Sequence, residues 1–151
     1  MSRRETWIRL CGILLILNLI FIWGNSLLPA QISQAFSDWV KELLSSGSGS
    51  GVAATSGSGV LRKIAHFAEF ASLGFLLLLR QRLQGKADWK APAAAVLAAC
   101  IDETIQLFVP GRGPGIMDVV LDVCGAAAGM LLLQTGHYLW KRKHAIQSGG
   151  N

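Results

Sequence analysis

The sequence predicts an all-α membrane protein, a bundle of four transmembrane helices with both termini in the cytoplasm. Three observations carry that expectation. Of its 151 residues 52% are hydrophobic and 15% charged, with a mean hydropathy of +0.44, too apolar for an ordinary soluble domain. The apolar residues fall into four blocks separated by charged or Gly/Ser-rich stretches. The basic residues flank those blocks unevenly, as topology signals do. One domain follows: a cytoplasmic N-terminus at 1–9, a membrane domain at 10–140 with an extracytoplasmic Ser/Gly-rich loop at about 41–59, and a basic cytoplasmic tail at 141–151.

The first block, Leu10 to Leu28, has the length of about 20 residues that a helix needs to cross hydrocarbon, with Trp7 and Trp23 as interfacial anchors. Arg3 and Arg4 would also suit a signal peptide, but the apolar run is long and Leu28-Pro29-Ala30 is a poor cleavage site, so retention is expected. The second block, Ile64 to Leu79, is short and interrupted by His66 and Glu69 and needs help from its neighbours. The Ser/Gly runs at 45–51 and 56–59 precede it and read as a flexible linker with no packing face. A third block, Ala91 to Val109, carries Asp102, Glu103 and Gln106 near its end, and the fourth, Met117 to Trp140, opens with Asp118 and Asp122. Cys11, Cys100 and Cys124 lie inside apolar blocks without C-x-x-C spacing and read as small buried hydrophobes.

Orientation follows from the basic residues. Arg3, Arg4, Arg9, Arg80, Arg82, Lys86, Lys90, Lys141, Arg142 and Lys143 fall on one side, and Lys41, Arg62, Lys63 and Arg112 on the other. The richer side is the cytoplasmic one. The same placement explains the net charge of +5 as topology signals and anionic-lipid contacts, and argues against a nucleic-acid partner.

The acidic residues then gather at the outer face. His66 and Glu69 are an i,i+3 pair on one helix face. They suit general acid/base or metal chemistry, and equally a hydrogen bond that neutralises both groups inside the bundle. Asp102 and Gln106 are i,i+4 partners with Glu103 turned about 100° away. Asp118 and Asp122 are again i,i+4, and their stripe continues into Gly125 and Gly129, a G-x-x-x-G expected to pack an internal neighbour. A carboxylate in hydrocarbon costs at least about 2.5 kcal/mol, so Glu69, Asp102, Glu103, Asp118 and Asp122 must face one another, water or a cation. Asp102, Glu103, Asp118 and Asp122 form either an oxygen-ligand site for a divalent cation or ion pairs with Arg62, Lys63 and Arg112. The Pro110 to Gly115 segment is expected as a tight turn between antiparallel helices, the alternative being an anion held by its backbone N–H groups and Arg112, and Lys141 to His144 is expected as a topology anchor.

Arg62-Lys63-x-Ala65-His66-Phe67-x-Glu69-Phe70-Ala71-x-Leu73-Gly74, then Asp102-Glu103-x-x-Gln106-x-Phe108-x-Pro110-Gly111-Arg112, then Asp118-Val119 and Gly125 resemble the VanZ-like family of bacterial membrane proteins. Asn25-Ser26-x-x-Pro29 extends the resemblance, which spans about residues 25–129. The family pattern has an Asn where this chain has Asp122, a departure that adds a charge. What the resemblance implies is a four-span, multi-pass protein of the bacterial cytoplasmic membrane and, as for the founding members of the family, a contribution to resistance against the lipoglycopeptide teicoplanin.

An outward polar pocket therefore is expected, built from Arg62, Lys63, His66, Glu69, Asp102, Glu103, Gln106, Arg112, Asp118 and Asp122. It suits a binding role toward membrane lipids, a lipid-linked wall precursor or a lipoglycopeptide. The alternative is a membrane-embedded hydrolase or transferase on such a lipid, with His66, Glu69, Asp102 and Glu103 as catalytic candidates and Arg62 or Arg112 on phosphate. With no Ser, Cys or Tyr nucleophile beside a base, that chemistry needs water or a divalent metal. A transporter is the weakest reading, because the polar residues do not continue through Leu76 to Leu79 or Leu131 to Leu133.

Overall fold

The computed structural model describes residues 2–29, 57–112 and 115–148, together with Ala35 and Trp39. Four long helices, and no strand among the described residues, make up the fold: α1 (Arg3–Ser26), α2 (Gly57–Gln84), α3 (Lys90–Leu107) and α4 (Ile116–Ser148). The helix α2 starts earlier than its apolar block, taking in the end of the Ser/Gly run, while residues 41–56 of the expected loop lie outside the described residues.

Local chemistry sets the helix ends. Ser2 caps α1 through a reciprocal box, its hydroxyl accepting from the Glu5 N–H at 3.3 Å while the Glu5 carboxylate accepts from the Ser2 N–H at 3.0 Å. Gly85, at φ 67, closes α2, with the Lys86 N–H donating to the Gln81 carbonyl at 3.0 Å in the six-to-one pattern that only a left-handed residue allows easily. Arg4 adds a tertiary cap, its Nε donating to the Leu83 carbonyl at 2.8 Å. That contact places the start of α1 beside the end of α2, so the two helices run antiparallel.

A narrow buried stripe lines the bundle axis. From α1 it takes Cys11, Leu15 and Ile22, from α2 Phe70, Leu73 and Leu78, from α3 Ala91, Ala95, Ala98 and Ala99, and from α4 Ala126 and Met130. The outward faces are as apolar as the inward ones: Ile13, Leu17, Ile20 and Phe21 of α1 and Leu131 and Leu132 of α4 are all exposed. Helices that are apolar all round belong in lipid, not in water. Two of them, Arg3–Ser26 and the Ile116–Ala145 stretch of α4, are long and apolar enough to cross a bilayer. Of the three cysteines only Cys11 is buried; Cys100 and Cys124 lie on outward faces, where a weakly polar thiol costs little against lipid.

The helices α2 and α4 approach each other closely. A Cβ on Gly125 would overlap the Phe67 carbonyl, one on Gly129 the Ala71 carbonyl, and one on Gly74 the Ala126 carbonyl. Glycines from both helices thus let the two backbones touch, and the G-x-x-x-G packs internally as its spacing predicts.

Candidate functional site

Antiparallel packing brings the end of α1, the start of α2, the end of α3 and the start of α4 to one end of the bundle, opposite Ser2 and Gly85. Nearly every buried polar side chain of the described residues is there: Ser26, His66, Asp102, Glu103, Gln106, Arg112 and Asp122. At the centre His66 stands between two carboxylates, its Nδ1 3.9 Å from Asp102 Oδ2 and 3.8 Å from Asp122 Oδ1. Both distances exceed hydrogen-bond length. Gln106 Nε2 donates to Asp102 Oδ2 at 2.7 Å and also reaches the Ser26 hydroxyl at 3.4 Å, tying α3 to itself and to α1.

The acidic residues do not act as one set. Glu103, the residue turned away from Asp102, accepts from the Gly115 N–H and so fastens the α3–α4 turn to α3. Asp118 sits at the rim, 3.7 Å from Lys63 Nζ. Glu69 is not paired with His66. It accepts from the Asn25 amide at 3.0 Å, because i,i+3 residues are about 60° apart around a helix and here point into different interhelical crevices. The expected ion pair forms at Lys63, whereas Arg112 donates through Nη2 to the Asn25 carbonyl at 3.2 Å. Burial of Arg112 and the nearby Arg62 charge lower the guanidinium pKa, from a starting value so high that the group stays charged.

A small cleft opens beside His66, lined by Arg62, Lys63, His66, Gln106, Asp118, Leu121 and Asp122. The space inside it that admits the centre of a water molecule is about 10 Å³, enough for one water or one ion. Anything larger must bind at the mouth, between the cations of Arg62 and Lys63 and the carboxylate of Asp118. Asn25 and Ser26 were absent from the expected site. Two polar residues closing an apolar run read as a helix end, and only the tertiary fold shows that they meet Glu69, Arg112 and Gln106.

This arrangement of motifs matches the VanZ/LLP1 family model over residues 7–139. The chain belongs to the VanZ/LLP1 family. No curated protein and no solved structure matches it. Family membership together with the two span-length apolar helices makes this VanZ/LLP1 chain a membrane protein.

Asn25 is the joint of the VanZ/LLP1 site, since its amide serves α2 and its carbonyl serves the α3–α4 turn. Truncating it to Ala leaves Glu69 Oε1 without its donor, beside an Oε2 that already lacks a partner. Asn25→Ala is expected to lower unfolding stability by about 1–3 kcal/mol, the cost of orphaning a part-buried carboxylate. Micellar melting curves of the two proteins test this, and coincident curves would refute the joint.

Proposed function

We propose that this VanZ/LLP1 protein crosses the bacterial cytoplasmic membrane four times, with both termini inside and the polar end of the bundle outside. There it binds a lipid-linked component of the cell envelope or the lipoglycopeptide itself, and it contributes to teicoplanin resistance. One observation carries the reading: the buried polar side chains collect at a single end and surround a cleft rimmed by Arg62 and Lys63. That end lies opposite the more basic one, as the positive-inside tendency requires of an outer face. Cations at the rim suit an anionic headgroup, and the neighbouring apolar faces suit its lipid tail.

A second reading, hydrolysis or group transfer on such a lipid, draws support from His66 lying between the Asp102 and Asp122 carboxylates next to space for one water. The first reading predicts resistance without turnover and the second predicts a released product.

The decisive experiment measures teicoplanin susceptibility of a sensitive bacterium producing the chain, with Glu69→Gln and Asp102→Asn variants inserted at equal levels. The wild type is expected to lower susceptibility and both variants to abolish the effect. A wild type that leaves susceptibility unchanged would remove resistance from the reading.

A further inference from the structure

We infer that His66, Asp102 and Asp122 bind one divalent transition-metal ion of the Zn²⁺ or Mn²⁺ class. The three come from three different helices, α2, α3 and α4, and present ligand atoms that all lie within 4.8 Å of one another. They are 6%, 0% and 2% exposed, so water does not solvate their charge. Acidic residues gathered near one another do not make a site by themselves. What sets these apart is that Asp122 Oδ1, which faces the imidazole, and Asp102 Oδ1 are buried without any hydrogen-bond partner. Asp102 approaches the imidazole through Oδ2, which already accepts from Gln106, so the orphaned oxygen that faces His66 is that of Asp122, and two buried carboxylates beside one imidazole are neutralised by a cation among them.

The dimensions fit. Bonds of about 2.0–2.2 Å to a tetrahedral ion hold two ligand atoms about 3.4 Å apart. The imidazole Nδ1 is 3.9 and 3.8 Å from its two carboxylate oxygens, so each of these two pairs closes by about half an ångström around the ion, and the two carboxylates offer ligand oxygens within 4.8 Å of each other. One nitrogen and two oxygens favour a borderline transition ion over Mg²⁺ or Ca²⁺, which prefer oxygen alone. Gln106 supplies the outer contact that orients a metal-bound carboxylate, its Nε2 2.7 Å from Asp102 Oδ2. The cleft that His66 and Asp122 line offers the ion a way in and a place for a water ligand.

Metal content is read with no lipid or antibiotic present, so this site and the proposed envelope ligand can each fail alone. The full chain, purified in detergent and stripped with chelator, is dialysed against Zn²⁺ or Mn²⁺ and its bound metal measured by elemental analysis. About one ion per chain is expected, falling at least about tenfold in His66→Gln, Asp102→Asn and Asp122→Asn but unchanged in Asp88→Asn at the opposite end of the bundle. Retention in the three variants, or equal loss in Asp88→Asn, would overturn the site, as would less than about one ion per ten wild-type chains. Should a variant fail to fold, the wild type decides: Co²⁺ added to stripped protein should give the visible absorption of low-symmetry nitrogen/oxygen ligation, and a spectrum identical to aqueous Co²⁺ would refute the proposal.

Discussion

Gly129→Ala is expected to lower unfolding stability by at least about 3 kcal/mol, the upper end of what overpacking a filled core costs. The new methyl group would overlap the Ala71 carbonyl oxygen and crowd the Phe75 amide, both backbone atoms that cannot rotate aside. Relief requires α2 and α4 to separate, which in turn opens the contacts of Gly74 and Gly125 along the same seam. Gly129→Leu is expected to leave no folded bundle. Gly24→Ala and Gly136→Ala are the matched comparisons, because a Cβ at either position meets nothing within 4 Å. They should gain about 0.5–1 kcal/mol from the better helix propensity of alanine. Helicity followed through denaturation in micelles reports all four, and a Gly129→Ala protein that unfolds together with the wild type would contradict the seam.

Asp102 and Asp122 should answer to substitution with opposite signs once metal has been stripped. Asp102→Ala removes the acceptor of Gln106 Nε2 and one of the two carboxylates facing His66, at a position that is fully buried. Breaking a buried polar network in this way costs about 3–5 kcal/mol. Asp122→Asn keeps the shape of the side chain while removing one of two mutually repelling carboxylates, and its Oδ1 holds no hydrogen bond to lose. A gain of roughly 1 kcal/mol is expected there, the usual exchange of function for stability at a site under electrostatic strain. Chemical denaturation of the stripped proteins measures both. If Asp122→Asn destabilises as much as Asp102→Ala, the two carboxylates do not oppose each other.

Much of this was readable from residue order. Apolar blocks located all four helices, of which α1 and α4 are long and apolar enough to cross a bilayer. The i,i+4 spacing correctly placed Asp102 with Gln106 and ran the Asp122 stripe into Gly125 and Gly129. Helical spacing failed where the partner was remote. It joined Glu69 to His66, although Asn25, 44 residues earlier, holds the carboxylate. It grouped Glu103 with the other acids, although the backbone of Gly115 claims it. Periodicity within one helix reports a face, while the identity of the neighbour across that face depends on crossing angles that no local pattern encodes. The buried state expected for Cys100 and Cys124 failed for a related reason, because in a bilayer an apolar block has no preferred inside.

The glycine seam also bears on how the chain is made. Its two halves, Gly74 on one side and Gly125 with Gly129 on the other, are separated by the whole of α3, so this contact is among the last to become available during synthesis. Until α4 leaves the ribosome, α2 carries His66 and Glu69 with only α1 and α3 to shield them. Chains ending before residue 116 lack the helix that packs against Gly74 and brings Asp122 to His66, so the polar end of the bundle is complete only when the final helix is in place.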